Sequence, residues 1–191
     1  MTPLDLIRKS IDDGIAVKRR MLDTQAGVIA ATAERLAAVL KQGGTIYLCG
    51  NGGSAADAQH IAAEFVGRFL RERRPLPSVA LSTNTSILTA IGNDYSFDQV
   101  FSRQVRACVT AKDAVCGIST SGKSPNVIEA LKAAREIGAL TVGWTGEPGE
   151  PLGSLCDLCL KVPTTATPRI QECHIVAGHI VCDLTARGSA E

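Results

Sequence analysis

The stretch Thr45-Ile46-Tyr47-Leu48-Cys49-Gly50-Asn51-Gly52-Gly53-Ser54-Ala55-Ala56-Asp57-Ala58 decides how the rest of the chain is read. A short apolar run of strand character enters a glycine-rich turn, and a helical pattern begins at once. Glycines let the backbone approach a ligand and leave its amides pointing outward, while a helix start adds a partial positive charge, so the arrangement favours an anion. It is not a dinucleotide fingerprint, because no third glycine follows in place and no acidic residue ends the next apolar run. A Walker loop would carry a lysine followed by Ser or Thr, which Gly50–Ser54 lacks.

Working outward, the apolar runs are Thr45–Cys49, Ser78–Leu81, Ala114–Ile118, Leu140–Trp144 and Leu158–Val162. Helical spacing fills most gaps, at Ala55–Leu70, Phe97–Val109, Pro125–Ile137 and Pro168–Arg187. This alternation predicts an α/β fold, a five-stranded parallel sheet with right-handed crossovers and helices on both faces. Before it, Leu4, Ile7 and Ile11, then Met21, Val28, Ile29, Leu36, Val39 and Leu40, read as two helices. The expected organisation is a single domain, 1–191, with a helical extension over about 1–42 and a ligand-binding core over about 43–191. In open parallel sheets ligands occupy the crevice at the carboxyl ends of the strands, so the loops after the runs are the places to examine.

Composition narrows the function classes. The 191 residues, 45% of them hydrophobic, suffice for one well-buried core. Twenty Lys and Arg against nineteen Asp and Glu leave a formal charge of +1, which argues against a nucleic-acid partner. No uncharged apolar run approaches the ~20 residues of a membrane span, so no membrane association is expected and the expected location is cytoplasmic. Most of the seven cysteines fall inside apolar patterns, as Cys49, Cys116 and Cys182 do, and read as reduced core residues. Cys156 and Cys159 form a C-x-x-C with no second pair and no helix start after it, so core thiols are the expectation there too.

The third run ends in Ser119-Thr120-Ser121-Gly122-Lys123-Ser124-Pro125, with four hydroxyls around a glycine ahead of a helix. Ser124 as N-cap with Pro125 at the first helical position explains one serine, and leaves three hydroxyls suited to a phosphate monoester. His60 and Glu64 stand four apart on the helix after the first loop, about 6 Å along its axis, and can share a divalent metal or make a plain surface hydrogen bond. The closing helix carries Gln171, His174 and His179. Eight residues rise about 12 Å, too far for Gln171 and His179 of one copy to meet easily at one ion, so His179 is expected to reach from a neighbouring subunit or to divide the work with Gln171 differently. His174 reads as a packing histidine, Asn93 and Asp94 as a cap or Asx-turn in a loop, and Arg68, Arg71, Arg73 and Arg74 as a solvated cluster.

Residues 50–60, residues 119–124, Arg169-Ile170-Gln171-Glu172, His179, Ala90–Asp94 and Arg68–Pro77 together resemble the sugar-isomerase (SIS) domain and, within it, the phosphoheptose isomerases, over nearly the whole chain. The resemblance implies conversion of sedoheptulose 7-phosphate to D-glycero-D-manno-heptose 7-phosphate, the first step towards ADP- or GDP-heptose, by a zinc-containing homotetramer with active sites near subunit interfaces. It implies Glu64 as base and His179 as acid, with zinc on His60, Glu64, Gln171 and His179. Substrate contacts are implied at Asn51, Gly52, Gly53, Ser54, Glu64, Asn93, Asp94, Ser119, Thr120, Ser121, Ser124 and Gln171. Pro168 stands where members of the family often have an aspartate, which removes one expected hydroxyl contact. Two other classes compete at this point: a non-catalytic SIS-type regulator or adaptor binding a protein partner, and an isomerase or ether-cleaving enzyme of phosphorylated amino sugars. Regulators of that kind typically lack the proton-moving residues that stand here.

Overall fold

The computed structural model describes residues 1–189. A single helix, α1 (Pro3–Lys41), opens the chain. It is followed by β1 (Ile46–Gly50), α2 (Gly53–Val66), β2 (Ser78–Ala80), α3 (Thr85–Asp94), α4 (Ser102–Cys108), β3 (Ala114–Ile118), α5 (Pro125–Ile137), β4 (Leu140–Thr145), β5 (Leu158–Lys161) and α6 (Thr167–Gly188). All five strands are parallel, in the order β2-β1-β3-β4-β5. The chain leaves β1 in one direction to form β2 and crosses back to form β3, so β1 and β3 flank the switch point where doubly wound sheets open a crevice.

The expected two N-terminal helices are one. No proline interrupts residues 4–41, and a capping box at Thr2 and Asp5 starts the helix with Pro3 at its first position. Gly14, inside this helix, is buried against α6, where a methyl would meet Glu172 and Arg169, so its lack of a side chain serves packing. Two other boundaries shift. The helix expected over Ala55–Leu70 ends at Val66, with Gly67 at its C-cap. The one expected over Phe97–Val109 resolves into a 3-10 turn, Phe97–Gln99, and α4.

Strand residues alternate between two cores. Ile46, Leu48, Cys116, Ile118, Val142, Trp144 and Leu160 pack beneath α1, α2 and α6. Cys49 and Val115 face the opposite side, where they pack with Val105 of α4, Val127 and Leu131 of α5, and Leu152. Every residue of β3 and β4 is buried, as strands covered on both faces require. Among the described residues no helix is long and apolar enough to cross a membrane. No disulfide is present among them, and Cys49, Cys116, Cys173 and Cys182 are buried, as the apolar patterns predict for Cys49, Cys116 and Cys182.

Candidate active site

The loops after β1 and β3 lie side by side at the switch point, joined by a reciprocal amide pair. Asn51 Nδ2 donates to Asn126 Oδ1 at 2.8 Å, and Asn126 Nδ2 donates back to Asn51 Oδ1 at 2.9 Å. Gly52 adopts φ 55°, ψ −122°, a conformation essentially restricted to glycine, and turns the chain into α2. In the second loop Ser119 is buried, and its hydroxyl shares a hydrogen with Ser124 Oγ at 2.9 Å. Ser124 is the N-cap of α5 by position, yet its side chain makes no capping bond, so its hydroxyl stays in the crevice. Gly122, at φ 67°, turns the loop back, and a methyl there would strike the Gly149 backbone. Ser121 Oγ accepts from Lys123 N, while Gly146 N donates to the Thr120 carbonyl, tying the loop to the segment after β4.

A second group forms where α2 and α6 run side by side in the same direction. Gln171 lies against Gly53, Gly178 against Ile61, and His179 against His60, so contact points advance in step along both helices. His60 Nε2 stands 3.2 Å from Glu64 Oε1 and 3.2 Å from His179 Nε2, and all three donor atoms lie within 4.8 Å of one another. His179 therefore stands beside His60 and Glu64 of its own chain, without need of a neighbouring subunit. A helix rise of 12 Å keeps Gln171 and His179 apart along α6, but α2 runs parallel to it, so one chain offers each of them a neighbour. Gln171 takes the upper position beside the glycine loop. Phe69 stacks on His179, ring centroids 5.1 Å apart, and walls the group on one side.

These donors fit a zinc ion. One imidazole nitrogen holds at most one hydrogen, so His60 Nε2 cannot donate to Glu64 while accepting from a protonated His179 as well. Two imidazoles and a carboxylate suit zinc chemically, and a tetrahedral ion with bonds of 2.0–2.1 Å holds its ligands about 3.3–3.4 Å apart, close to the two 3.2 Å separations here.

The family model of the SIS domain matches residues 11–146. The chain is 56% identical to a phosphoheptose isomerase of Roseiflexus sp. over 184 residues, 96% of this chain and 91% of that one. The chain belongs to the SIS-domain family and, within it, to the phosphoheptose isomerases. A second curated relative of that name, from Aquifex aeolicus, is 49% identical, with 95% of each chain covered. The solved phosphoheptose isomerase of Neisseria gonorrhoeae superposes with a TM-score of 0.90 at 45% identity, covering 95% of this chain and 97% of the other. That of Francisella tularensis gives 0.94 at 34% identity, covering 98% and 100%. The chain is thus a sugar-phosphate isomerase.

Within this isomerase the remaining predicted residues divide. Asn51, Gly52, Gly53, Ser54, Ser119, Thr120, Ser121 and Ser124 line the two loops, and Ser54 is buried at the first turn of α2. Asn93 and Asp94 are the exposed last residues of α3 rather than loop residues, and Asn93 Nδ2 donates to Asp94 Oδ1 at 2.8 Å. No residue of α3 is fully buried, although Leu88 and Ile91 are partly buried against the core on the side of α4 and α5. His174 is fully buried against Trp144, its Nε2 3.3 Å from the Thr145 carbonyl oxygen, and burial lowers its pKa to about 4; it is a neutral packing histidine, as expected.

Three contributions escape the sequence reading. Asn126 carries no motif signal, since its partner lies 75 positions away. Arg73, grouped with a solvated cluster, folds back onto the end of α2: Nη2 donates to the Glu64 carbonyl at 2.7 Å, and Nη1 to those of Phe65, Gly67 and Arg74. It satisfies carbonyls that the helix end leaves open and fixes the backbone that carries Glu64. Asp57, one turn before His60, has a buried Oδ2 with no hydrogen-bond partner among the described residues, and burial pushes its carboxyl up while His60 opposes this. Its spacing to His60 is the one signal a sequence offers for it.

Proposed function

We propose that the chain interconverts sedoheptulose 7-phosphate and D-glycero-D-manno-heptose 7-phosphate, the step that leads towards nucleotide-activated heptose. The observation that carries this reading is the convergence of His60, Glu64 and His179 in one chain, on the helix that leaves the glycine loop. His60 lies seven residues beyond Gly53, about 10 Å along α2. A seven-carbon sugar phosphate anchored at residues 119–124 then extends its reacting end towards the helix-borne group. The phosphate takes the hydroxyls of Ser119, Thr120, Ser121 and Ser124 and the open amides at the start of α5, and Asn51, Gly52, Gly53 and Ser54 line the sugar.

Glu64 takes the proton from the carbon beside the ketose carbonyl. A carboxylate has two oxygens, so Oε1 can remain against His60 while the other receives the proton. His179 carries the hydroxyl proton between the two oxygens of the enediolate, and Glu64 returns its proton to the former carbonyl carbon, which leaves the aldose. His60, Glu64 and His179 would hold zinc, and the family resemblance adds Gln171, whose amide lies against Gly53 in this structure. Zinc there would polarise the carbonyl and the hydroxyl beside it. Asn93 and Asp94, at the open edge, would bind sugar hydroxyls, and Pro168 offers none.

The same reading takes the enzyme to be a cytoplasmic homotetramer. Leu4, Ile7, Ile11 and Ile15 are exposed on successive turns of α1, an unpartnered apolar stripe suited to another copy of the chain. A non-catalytic regulator has no use for three proton-binding groups brought together from segments 119 residues apart, so the isomerase reading is favoured. A coupled assay for heptose 7-phosphate formed from sedoheptulose 7-phosphate tests it; the purified, zinc-loaded protein should turn over, and no product would defeat the proposal.

A further inference from the structure

The C-x-x-C motif has no part in the isomerisation, yet the fold brings its sulfurs together next to the phosphate loop. Cys156 follows the 3-10 turn Leu152–Leu155, and Cys159 lies in β5 opposite Gly143 of β4. The two sulfurs flank the point that a methyl on Gly143 would occupy, at 2.7 and 3.2 Å, so the glycine makes room for both. Each is half-buried, within reach of a small reagent, whereas Cys49, Cys116, Cys173 and Cys182 are buried and Cys108 stands by itself. The environments of the two thiols differ. A hydrogen bond from Cys156 holds the Cys159 thiol below its usual value against the effect of burial, and the Lys161 ammonium adds to the lowering. Cys156 is pushed up.

We propose that Cys156 and Cys159 form a reversible disulfide by exchange with a small-molecule disulfide, and that this linkage loosens the phosphate loop. The Cys159 thiolate attacks one sulfur of the external disulfide and displaces a thiolate, which takes up a proton. Cys156 gives up its proton and attacks Cys159 Sγ, the Cys156–Cys159 bond forms, and the second external thiolate leaves. Two protein thiols are oxidised and one external disulfide is reduced to two thiols. The path to the loop is short. Cys156 Sγ has the Leu152 carbonyl oxygen at 3.3 Å, Leu152 N donates to the Gly122 carbonyl at 3.2 Å, and Gly149 packs against Gly122. Drawing Cys156 towards Cys159 takes the thiol from Leu152 and pulls the turn from the corner of residues 119–124. This second step rests on the reading of those residues as the phosphate site.

The test treats the full-length protein with oxidised glutathione, blocks free thiols by alkylation and maps the peptides by mass spectrometry. The expected result is an internal linkage within the peptide that spans 156–159, removed by dithiothreitol. It should be accompanied by a rise in KM for sedoheptulose 7-phosphate of about fivefold, the effect of one lost hydrogen bond, with kcat unchanged. Cys156→Ser should abolish both the linkage and the KM change. Free thiols at both positions, or a lasting glutathione adduct on Cys159 in place of the linkage, would overturn the proposal. A linkage with unchanged KM would overturn its coupling to the loop. Because mapping needs no substrate, a linked protein whose reduced form converts no ketose would count against the isomerase reading alone.

Discussion

The loop at residues 119–124 and the group on α2 and α6 are built in opposite ways. The loop's side-chain hydrogen bonds are local, Ser119 to Ser124 and Lys123 N to Ser121, with Gly122 bending the backbone, and Gly146, Gly149 and Leu152 brace that backbone from the segment after β4. His60 and His179 meet across 119 positions of sequence, held by helix packing and by little of their own. On the proposed reading, the contrast teaches that binding a phosphate and moving a proton make different demands. A phosphate accepts several hydroxyls and amides with latitude in position, whereas proton transfer needs groups placed within hydrogen-bond reach of one carbon.

The contrast is broken most severely at Glu64. Glu64→Gln and His179→Ala should each lower kcat by about 10²–10⁴, with circular dichroism and thermal melting near those of the wild type, and substantial turnover in either would remove the assigned roles. The next effect concerns α6 itself, which His174 pins beneath β4. Its pKa falls from 6.5 to about 4 in the folded protein, so below pH 6.5 the unfolded chain binds more protons and stability declines as pH drops. That single group should remove about 3 kcal/mol between pH 6.5 and 4, seen as a difference between wild type and His174→Phe in denaturant unfolding across that range.

On the side of the loop, Ser119→Ala with Ser124→Ala should leave kcat nearly intact and raise KM for the phosphorylated ketose about 10- to 100-fold, as loss of hydrogen bonds to a charged group implies. An unchanged KM would place the phosphate elsewhere and dissolve the comparison. The smallest effect is expected at Arg73, whose replacement by alanine leaves carbonyls at the end of α2 to water. Stability should fall by about 1–2 kcal/mol in urea titrations, and retention of the proposed zinc on dialysis should weaken because the turn that carries Glu64 frays.

The sequence made the sheet legible because buried parallel strands are short apolar runs between helices, and the five runs match the five strands to within one residue at most ends. The loops were legible for the same local reason: their glycines and hydroxyls are contiguous. The N-terminal helix reads as two because its apolar positions fall into two sets, Leu4 to Ile11 and Met21 to Leu40, whereas the backbone runs through both as one helix. His60 and Glu64 were visible as an i,i+4 pair, but the course of α6 relative to α2, which brings His179 into the same chain's group, follows from sheet order and crossover handedness rather than from any motif. Asn126 and the fold-back of Arg73 are long-range or turn-dependent contacts between ordinary polar residues, and no spacing announces them.

Gly178 has a consequence beyond its own position. Its bare backbone rests on Ile61, one residue along from each of the two histidines, and a single methyl there would have to displace that isoleucine or part the helices. A homologous chain could therefore keep every reactive side chain and still be inert, if a larger residue at this one place widened the seam by a fraction of an ångström. Inspection of the acids, bases and ligands would pass such a sequence as an isomerase, when the feature that decides its competence is an atom it must not have.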